Sequence, residues 1–454
     1  MLLNILLGLC CLSIVVLIHE FGHFIAAKAS GIDVEVFSIG WGKPIFKIRR
    51  GNTDYGISPI PLGGYCKMKG EAIFQKAVEN NSAEVDYEEG SLFSAGPVKR
   101  IITYIAGPLS NFVFAVAAMT AVWLIGFTIY SYEPKIVLLS EYPAFSTMSD
   151  YPADKAGLET GDVITAVNGR AVESFSDFQT AVAPRAEEDI LLTVLRDGVE
   201  LDIPIRPDLN RETGSGVIGV SAWIEPVIGE VREGGPAHMA VLEEGDRILS
   251  VNGSAVNHHL DVYALLEQNR DAMEVTYLRG GLPGTTRLTP QYDENGMLDI
   301  GLSFAGREFR SPDLGFFRAL ARGASESVST FYLTLKSIGL FFRGLKPGKV
   351  ISGPIRITVI AGEIASAGFS AGFGAGLINL LRLMSLFSVA LCFMNILPIP
   401  ALDGGMIVIN IVEMIKGRSV SPRTFYRYQM IGVVFIILLL FFATFSDITF
   451  LTQR

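Results

Sequence analysis

His19, Glu20 and His23 stand within one helical turn of each other in LIHEFGH. Residues four apart share a helix face, so both imidazoles project to the same side with the carboxylate beside them. The H-E-x-x-H spacing suits a zinc hydrolase: two nitrogen ligands and a carboxylate that can act as base on a metal-bound water. The segment carrying it, residues 1–29, has no charged residue before Glu20. Ionisable groups within an apolar segment of membrane length are expensive and mark functional sites by default.

A catalytic zinc commonly takes three protein ligands and keeps one position open. Asp403, in NILPIPALDGG at 395–405, is the candidate third ligand. Pro398, Pro400 and Gly404-Gly405 break the helix there, and irregular backbone at membrane depth is tolerated where it lines a cavity. The competing reading of Asp403 is a turn residue ending the helix. Asn395 and Asn111 are candidate donors to a developing oxyanion. For Asn111 the alternative is hydrogen-bonded glue between packed helices. His238, His258 and His259 are expected to be surface residues rather than ligands.

Four stretches are long and apolar enough to span a bilayer: about 3–27, 102–130, 379–399 and 429–446. The first has no basic leader, since the first positive residue is Lys28, and no small-x-small cleavage site; it reads as a retained helix rather than a signal peptide. The loop after the first span holds Lys43, Lys47, Arg49, Arg50, Lys67 and Lys69. The loop before the last holds Lys416, Arg418, Arg423 and Arg427. By the positive-inside rule both are cytoplasmic, which puts the long insert from about 131 to 376 and both termini outside. The first and third spans then run in the same direction. The H-E-F-G-H turn and the D-G-G turn meet at one depth, near the cytoplasmic face.

The first cytoplasmic loop, 30–100, alternates β-branched or aromatic residues with others over 32–69 and reads as a β-hairpin leaning on the membrane. Residues 71–96 read as a mobile acidic surface segment. The outer insert contains a repeat: PADKAGLETGDVITAVNGRAV at 152–172 and PAHMAVLEEGDRILSVNGSAV at 236–256 share thirteen of twenty-one positions. Each copy holds a Gly-Asp turn, an alternating strand and an Asn-Gly hairpin signal. Two modules, 131–225 and 226–306, are expected. Residues 307–376 read as an amphipathic helical linker on the outer face, with 361–376 a flexible Gly/Ala/Ser-rich approach to the third span at 377–402. A cytoplasmic loop is expected over 403–427 and the last span over 428–448.

Composition agrees with a membrane protein carrying a water-soluble insert: 50% hydrophobic and 18% charged, against roughly 25% charged in soluble chains. A net charge of −9 gives no basic footprint for nucleic acid. The four cysteines form no C-x-x-C pair and no disulfide framework. A non-catalytic membrane scaffold would leave the histidine pair and the D-G-G turn without a purpose. An ion transporter would spread ionisable groups over both membrane depths, whereas here they cluster at one. A soluble serine protease is disfavoured because the paired histidines lie in a membrane segment.

HEFGH, PLGGY at 61–65, AGPLSNF at 106–112 and NILPIPALDGG, in that order, resemble the site-2 protease family of intramembrane zinc metalloproteases. The G-D-x-I-x-x-V-N-G signatures of the repeat resemble PDZ domains, and their place between the second and third spans resembles the bacterial RseP-type branch. The resemblance implies a polytopic α-helical membrane protein of four transmembrane helices. It would have a cytoplasmic membrane-associated β-loop and two tandem α+β PDZ-like domains on the outer, periplasmic side. It implies Zn2+ held by His19, His23 and Asp403, with Glu20 as base. It implies that Asn395 and the loop around Pro61, Leu62, Gly63, Gly64 and Tyr65 hold the substrate backbone. Cys66 stands where Val is expected in that loop. The implied activity is cleavage of single-span membrane proteins after a first cut elsewhere, with anti-sigma factors and signal-peptide remnants as substrates. The implied setting is a bacterial inner membrane, with lipid contact, no nucleic acid and a monomeric chain. A shielded helical peptide bond would be unwound and added as a strand, with Gly63 and Gly64 allowing close approach. The PDZ pair would act as a size filter or by capturing peptide; the residues leave both open.

Overall fold

The computed structural model describes residues 2–70, 88–146, 150–268, 271–292, 296–341 and 353–452, in two units: 1–127 with 311–454, and 128–310. Most of the acidic segment at 71–96 lies outside the described residues, as does 342–352 of the helical linker.

The first unit is built on long helices. Four, among the described residues, are long and apolar enough to cross a membrane: Leu6–Ala29, Pro97–Ile125, Phe373–Ile396 and Pro422–Ile448. Much of their apolar surface faces outward, Ile431, Phe441 and Phe445 being more than 60% exposed, which suits lipid and not water. These spans belong to α1 (Leu2–Ala29), α2 (Pro97–Ile125), α5 (Phe373–Ile396) and α7 (Pro422–Thr452). Among the described residues the unit holds three further helices: α3 (Phe316–Phe341), α4 (Pro354–Ser370) and α6 (Asp403–Lys416).

Small residues set the helix crossings. A side chain at Gly22 of α1 would collide with the Ala106 carbonyl and Ser110 of α2, and the Ser110 hydroxyl donates to the Ile18 carbonyl at 2.8 Å. Ser385 of α5 donates to the Ala115 carbonyl of α2 at 3.2 Å. At one end of α2, Arg100 pairs with Glu413 of α6 at 2.7 Å, both 5% exposed. Asp447 of α7 accepts the Gly353 and Arg356 amides at 2.8 and 3.1 Å and so caps the start of α4.

Several expectations for this unit need correction. The stretch at 307–376 is no single linker. Residues 307–310 form a strand paired with 128–131. Helix α3 packs lengthwise on α2 and α5 instead of lying free on a membrane surface: Gly323 sits against Thr120, and Phe331 meets both Phe112 and Phe393. The Gly/Ala/Ser-rich stretch is helical to Ser370 and again from Phe373, and α4 comes close to α1 where Gly8 abuts Thr358. The expected loop at 403–427 opens with the fourteen residues of α6.

Residues 34–68 form a four-stranded sheet rather than a simple hairpin: β1 (Val34–Trp41), β2 (Phe46–Arg50), β3 (Thr53–Ile57) and β4 (Ile60–Met68), in the order β2-β3-β1-β4. The β1–β3 pair is parallel and β4 is antiparallel to β1, at one edge.

The second unit contains two like modules. Each has a four-stranded sheet, built on 163–167 with 190–205 and on 247–251 with 273–288, and a helix, Phe175–Val182 or His259–Glu267. The Asn-Gly turns have positive φ at both residues (51° and 72° at 168–169, 49° and 78° at 252–253), the conformation of a two-residue hairpin. Each Gly-Asp carboxylate is gripped twice at 2.7 Å by an arginine from the sheet: Asp162 by Arg196, Asp246 by Arg279. Strand 128–131, at the start of this unit, pairs with 307–310 at its end. His258 and His259, expected on the surface, are buried at 3% and 8% exposure. His258 packs on Trp223 and lies 3.2 Å from the Tyr142 hydroxyl, which donates to Asp261 at 2.6 Å.

Candidate metal centre

His19 and His23 lie on the face of α1 turned toward α2, each 7% exposed. Gly107 of α2 makes their room, since any side chain there would overlap the His23 ring. The His23 Nδ1–H donates to the Thr103 carbonyl at 2.8 Å. A carbonyl can only accept, so the His23 proton is on Nδ1 and its Nε2 turns a lone pair inward. The amide of Asn111, one helix turn past Gly107, is 3.3 Å from His19 Nδ1.

The third donor arrives from the break between α5 and α6. The 397–402 turn includes Ala401 at φ 73° and folds tightly back on itself. Side chains at Gly404 or Gly405 would strike the carbonyls of Ile396, Leu397 and Ile399. That turn sets Asp403 in the first turn of α6, with Oδ2 3.1 Å from His19 Nε2 and 3.4 Å from His23 Nε2. The two Nε2 atoms are 3.1 Å apart.

These edges fit a metal. A tetrahedral zinc with bonds of about 2.0–2.1 Å holds its ligand atoms about 3.3 Å apart. Oδ2 of Asp403 is buried and accepts no hydrogen bond among the described residues. Lone pairs of a carboxylate and an Nδ1-protonated imidazole facing each other at this range repel unless a cation lies between them. Two imidazoles and a carboxylate are also a common catalytic zinc set. His19, His23 and Asp403 are the metal-type cluster found among the described residues.

Glu20 stands beside the cluster and accepts the Cys66 amide of β4 at 3.0 Å. A cavity of about 280 Å3 opens over the group, lined by His19, Glu20, His23, Cys66, Asn395 and Asp403 with Met68, Leu92, Tyr104, Ala401 and Leu402. Asn395 donates to the Leu391 carbonyl at 3.0 Å, leaving its oxygen and second N–H for other contacts. Asn111 is fully buried and does not line the cavity. Pro61, Leu62, Gly63, Gly64 and Tyr65 lie on β4, and of these Gly63, Gly64 and Tyr65 are not among the residues that line the cavity. Gly63 closes against Val16 of α1 and donates to Ser13 Oγ at 3.2 Å, while the Tyr65 hydroxyl donates to the Gly42 carbonyl at 3.3 Å.

Side-chain patterns missed the Thr103 carbonyl and the Cys66 amide because backbone groups leave no mark in a sequence. The clue for Gly107 was present in AGPLSN but carried no specific role. The GFSAG stretch at 368–372 has the G-x-S-x-G spacing of a nucleophile turn. Its Ser370 closes α4, where it donates to the Ser366 carbonyl at 3.0 Å, and does not stand at a strand-to-helix elbow.

The profile of peptidase family M50 matches residues 7–439. A putative zinc metalloprotease of Treponema pallidum is 36% identical over 99% of both chains. A regulator of sigma E protease of Haemophilus influenzae is 30% identical over 96% of both chains. The regulator of sigma-E protease RseP of Salmonella typhimurium is 30% identical over 98% of both.

Proposed function

The chain belongs to peptidase family M50, and on that premise we propose that it cleaves single-span membrane proteins within the membrane, at a zinc site made by His19, His23 and Asp403. It is a zinc metalloprotease. The observation that carries the site assignment is three buried donor atoms converging within 3.1–3.4 Å, one of them a carboxylate oxygen without a hydrogen bond.

The chemistry zinc supplies when bound is Lewis acidity, which polarises a carbonyl and brings the pKa of a water to about 7. The residues do the rest. Glu20 is held by the Cys66 amide through Oε2, so its other oxygen is available to take a proton from the attacking water. It returns that proton to the leaving amine. The Thr103 carbonyl fixes the tautomer and ring plane of His23. Asn395, on the cavity wall, meets the backbone of the unwound substrate.

A peptide bond in a helix is shielded by its own hydrogen bonds. Edge strand β4, passing Glu20 at Cys66, offers an unwound segment a place to add as a strand. The stretch from Pro61 to Tyr65 is the upstream part of that edge. Relatives named as regulators of sigma E favour an anti-sigma factor as substrate class, and the resemblance to the RseP-type branch adds signal-peptide remnants. The setting is a bacterial inner membrane, with the site near the cytoplasmic face and the two PDZ-like modules of 128–310 in the periplasm. Replacing Glu20 by Gln tests the reading: the variant keeps its zinc and loses cleavage of a tagged single-span substrate. Near wild-type cleavage would remove Glu20 as the base.

A further inference from the structure

Helix α2 gives no ligand to the metal centre, yet it touches the outer nitrogen of both imidazoles. Thr103 meets His23 Nδ1 through its carbonyl, and Asn111, eight residues further on, places its amide nitrogen 3.3 Å from His19 Nδ1. Asn111 is 0% exposed and its Oδ1 has no partner among the described residues. We propose that Asn111 is a positioning residue for the metal: its carboxamide oxygen accepts the His19 Nδ1–H and so turns the Nε2 lone pair toward Asp403. The proposal rests on the ligand assignment above and deepens it.

The proton count decides which end of the amide faces His19. With the amide nitrogen toward Nδ1, its N–H donates and Nδ1 must accept, so the imidazole proton moves to Nε2. It would then point at Asp403 Oδ2, 3.1 Å away, into the space the three donors share. A ligating Nε2 needs the proton on Nδ1, as the Thr103 carbonyl enforces for His23. The oxygen and nitrogen of a carboxamide exchange places by a half-turn with almost no change of shape, so the 3.3 Å contact serves either arrangement. Only the oxygen-inward one agrees with a metal on Nε2. A direct role on substrate does not fit Asn111, because it is buried behind His19 and the cavity wall is formed by other residues.

The test measures zinc affinity of the full chain in detergent by chelator competition, beside cleavage. Outer partners of metal-bound histidines are typically worth 10–100-fold in affinity. Asn111→Leu fills the space but accepts nothing, and its zinc affinity falls by that factor. Asn111→Asp restores an acceptor and stays within about threefold of wild type on the same scale. Asn111→Ala repeats the loss should the Leu variant fail to fold. A Leu or Ala variant with wild-type zinc affinity and lost cleavage would overturn the proposal and make Asn111 a substrate contact. So would an Asp variant as weak as Leu. Failure of the underlying ligand assignment reads out separately: His19→Ala would then retain its zinc.

Discussion

Gly107→Ala places one methyl group against the metal centre. The added carbon would overlap His23 Nε2 and lie 2.9 Å from Cδ2. Carbon contacts are comfortable from about 3.5 Å, so the ring must retreat by roughly 1 Å or α1 and α2 must part. Either movement strains the 2.8 Å bond to Thr103 and pulls Nε2 away from His19 and Asp403. Metal–ligand distances tolerate only about 0.2 Å. Overpacking of this kind costs about 1–3 kcal/mol, and each 1.4 kcal/mol is about tenfold in affinity. Zinc affinity should therefore fall about ten- to hundredfold, with cleavage of a single-span reporter falling in step at limiting zinc. Gly96→Ala, at the N-cap of the same helix where an added methyl meets nothing within 4 Å, is the control and should change neither. Wild-type zinc affinity and cleavage in Gly107→Ala would refute the packing argument that seats His23.

The second module should lose stability in mild acid. Burial holds the His259 imidazole down to about 4, with His258 adding to the depression and Asp261 opposing it. An unfolded histidine titrates near 6.5, so this contribution is whole above about pH 6.5 and is lost as pH falls toward 4, up to roughly 3 kcal/mol. Melting of the full chain followed between pH 7 and 5 should show the decline and His259→Gln should flatten it; equal slopes would contradict it. Asp246→Ala should lower the melting temperature of the same module, because it removes the carboxylate that Arg279 grips twice at 2.7 Å. Zinc content should not change, and a loss of zinc would show that the module supports the metal centre.

The parts of the site borne by side chains in one segment were the most legible. His19, Glu20 and His23 lie in a single turn, and their shared face follows from helix geometry alone. Asp403 required a second inference, that the D-G-G turn and the HEFGH turn share a depth, because its proximity depends on how α5 ends. Asn111 could be singled out as a polar group in an apolar span, but not assigned, since which side of His19 it would occupy depends on the α1–α2 crossing. The repeat displayed its Asn-Gly hairpins openly, because a turn with two positive φ values demands those residue types. Helix α3 was misplaced for a physical reason. Its arginines resemble those of a surface helix, yet Arg322 stacks on Trp123 while Gly323 closes on Thr120. The depth of His258 and His259 was hidden in the same way: polar rings are buried there by Trp223, Tyr142 and Phe304, which come from distant parts of the chain.

Zinc K-edge absorption on the purified, metal-loaded chain tests the central claim most directly, because Cys66 also lines the cavity and a thiolate would compete for zinc. A single zinc per chain is expected, with nitrogen and oxygen as its only bonded neighbours, the scattering of two imidazoles among them, and loss of that zinc in Asp403→Ala. A sulfur shell at about 2.3 Å, or full zinc retained without Asp403, would contradict it.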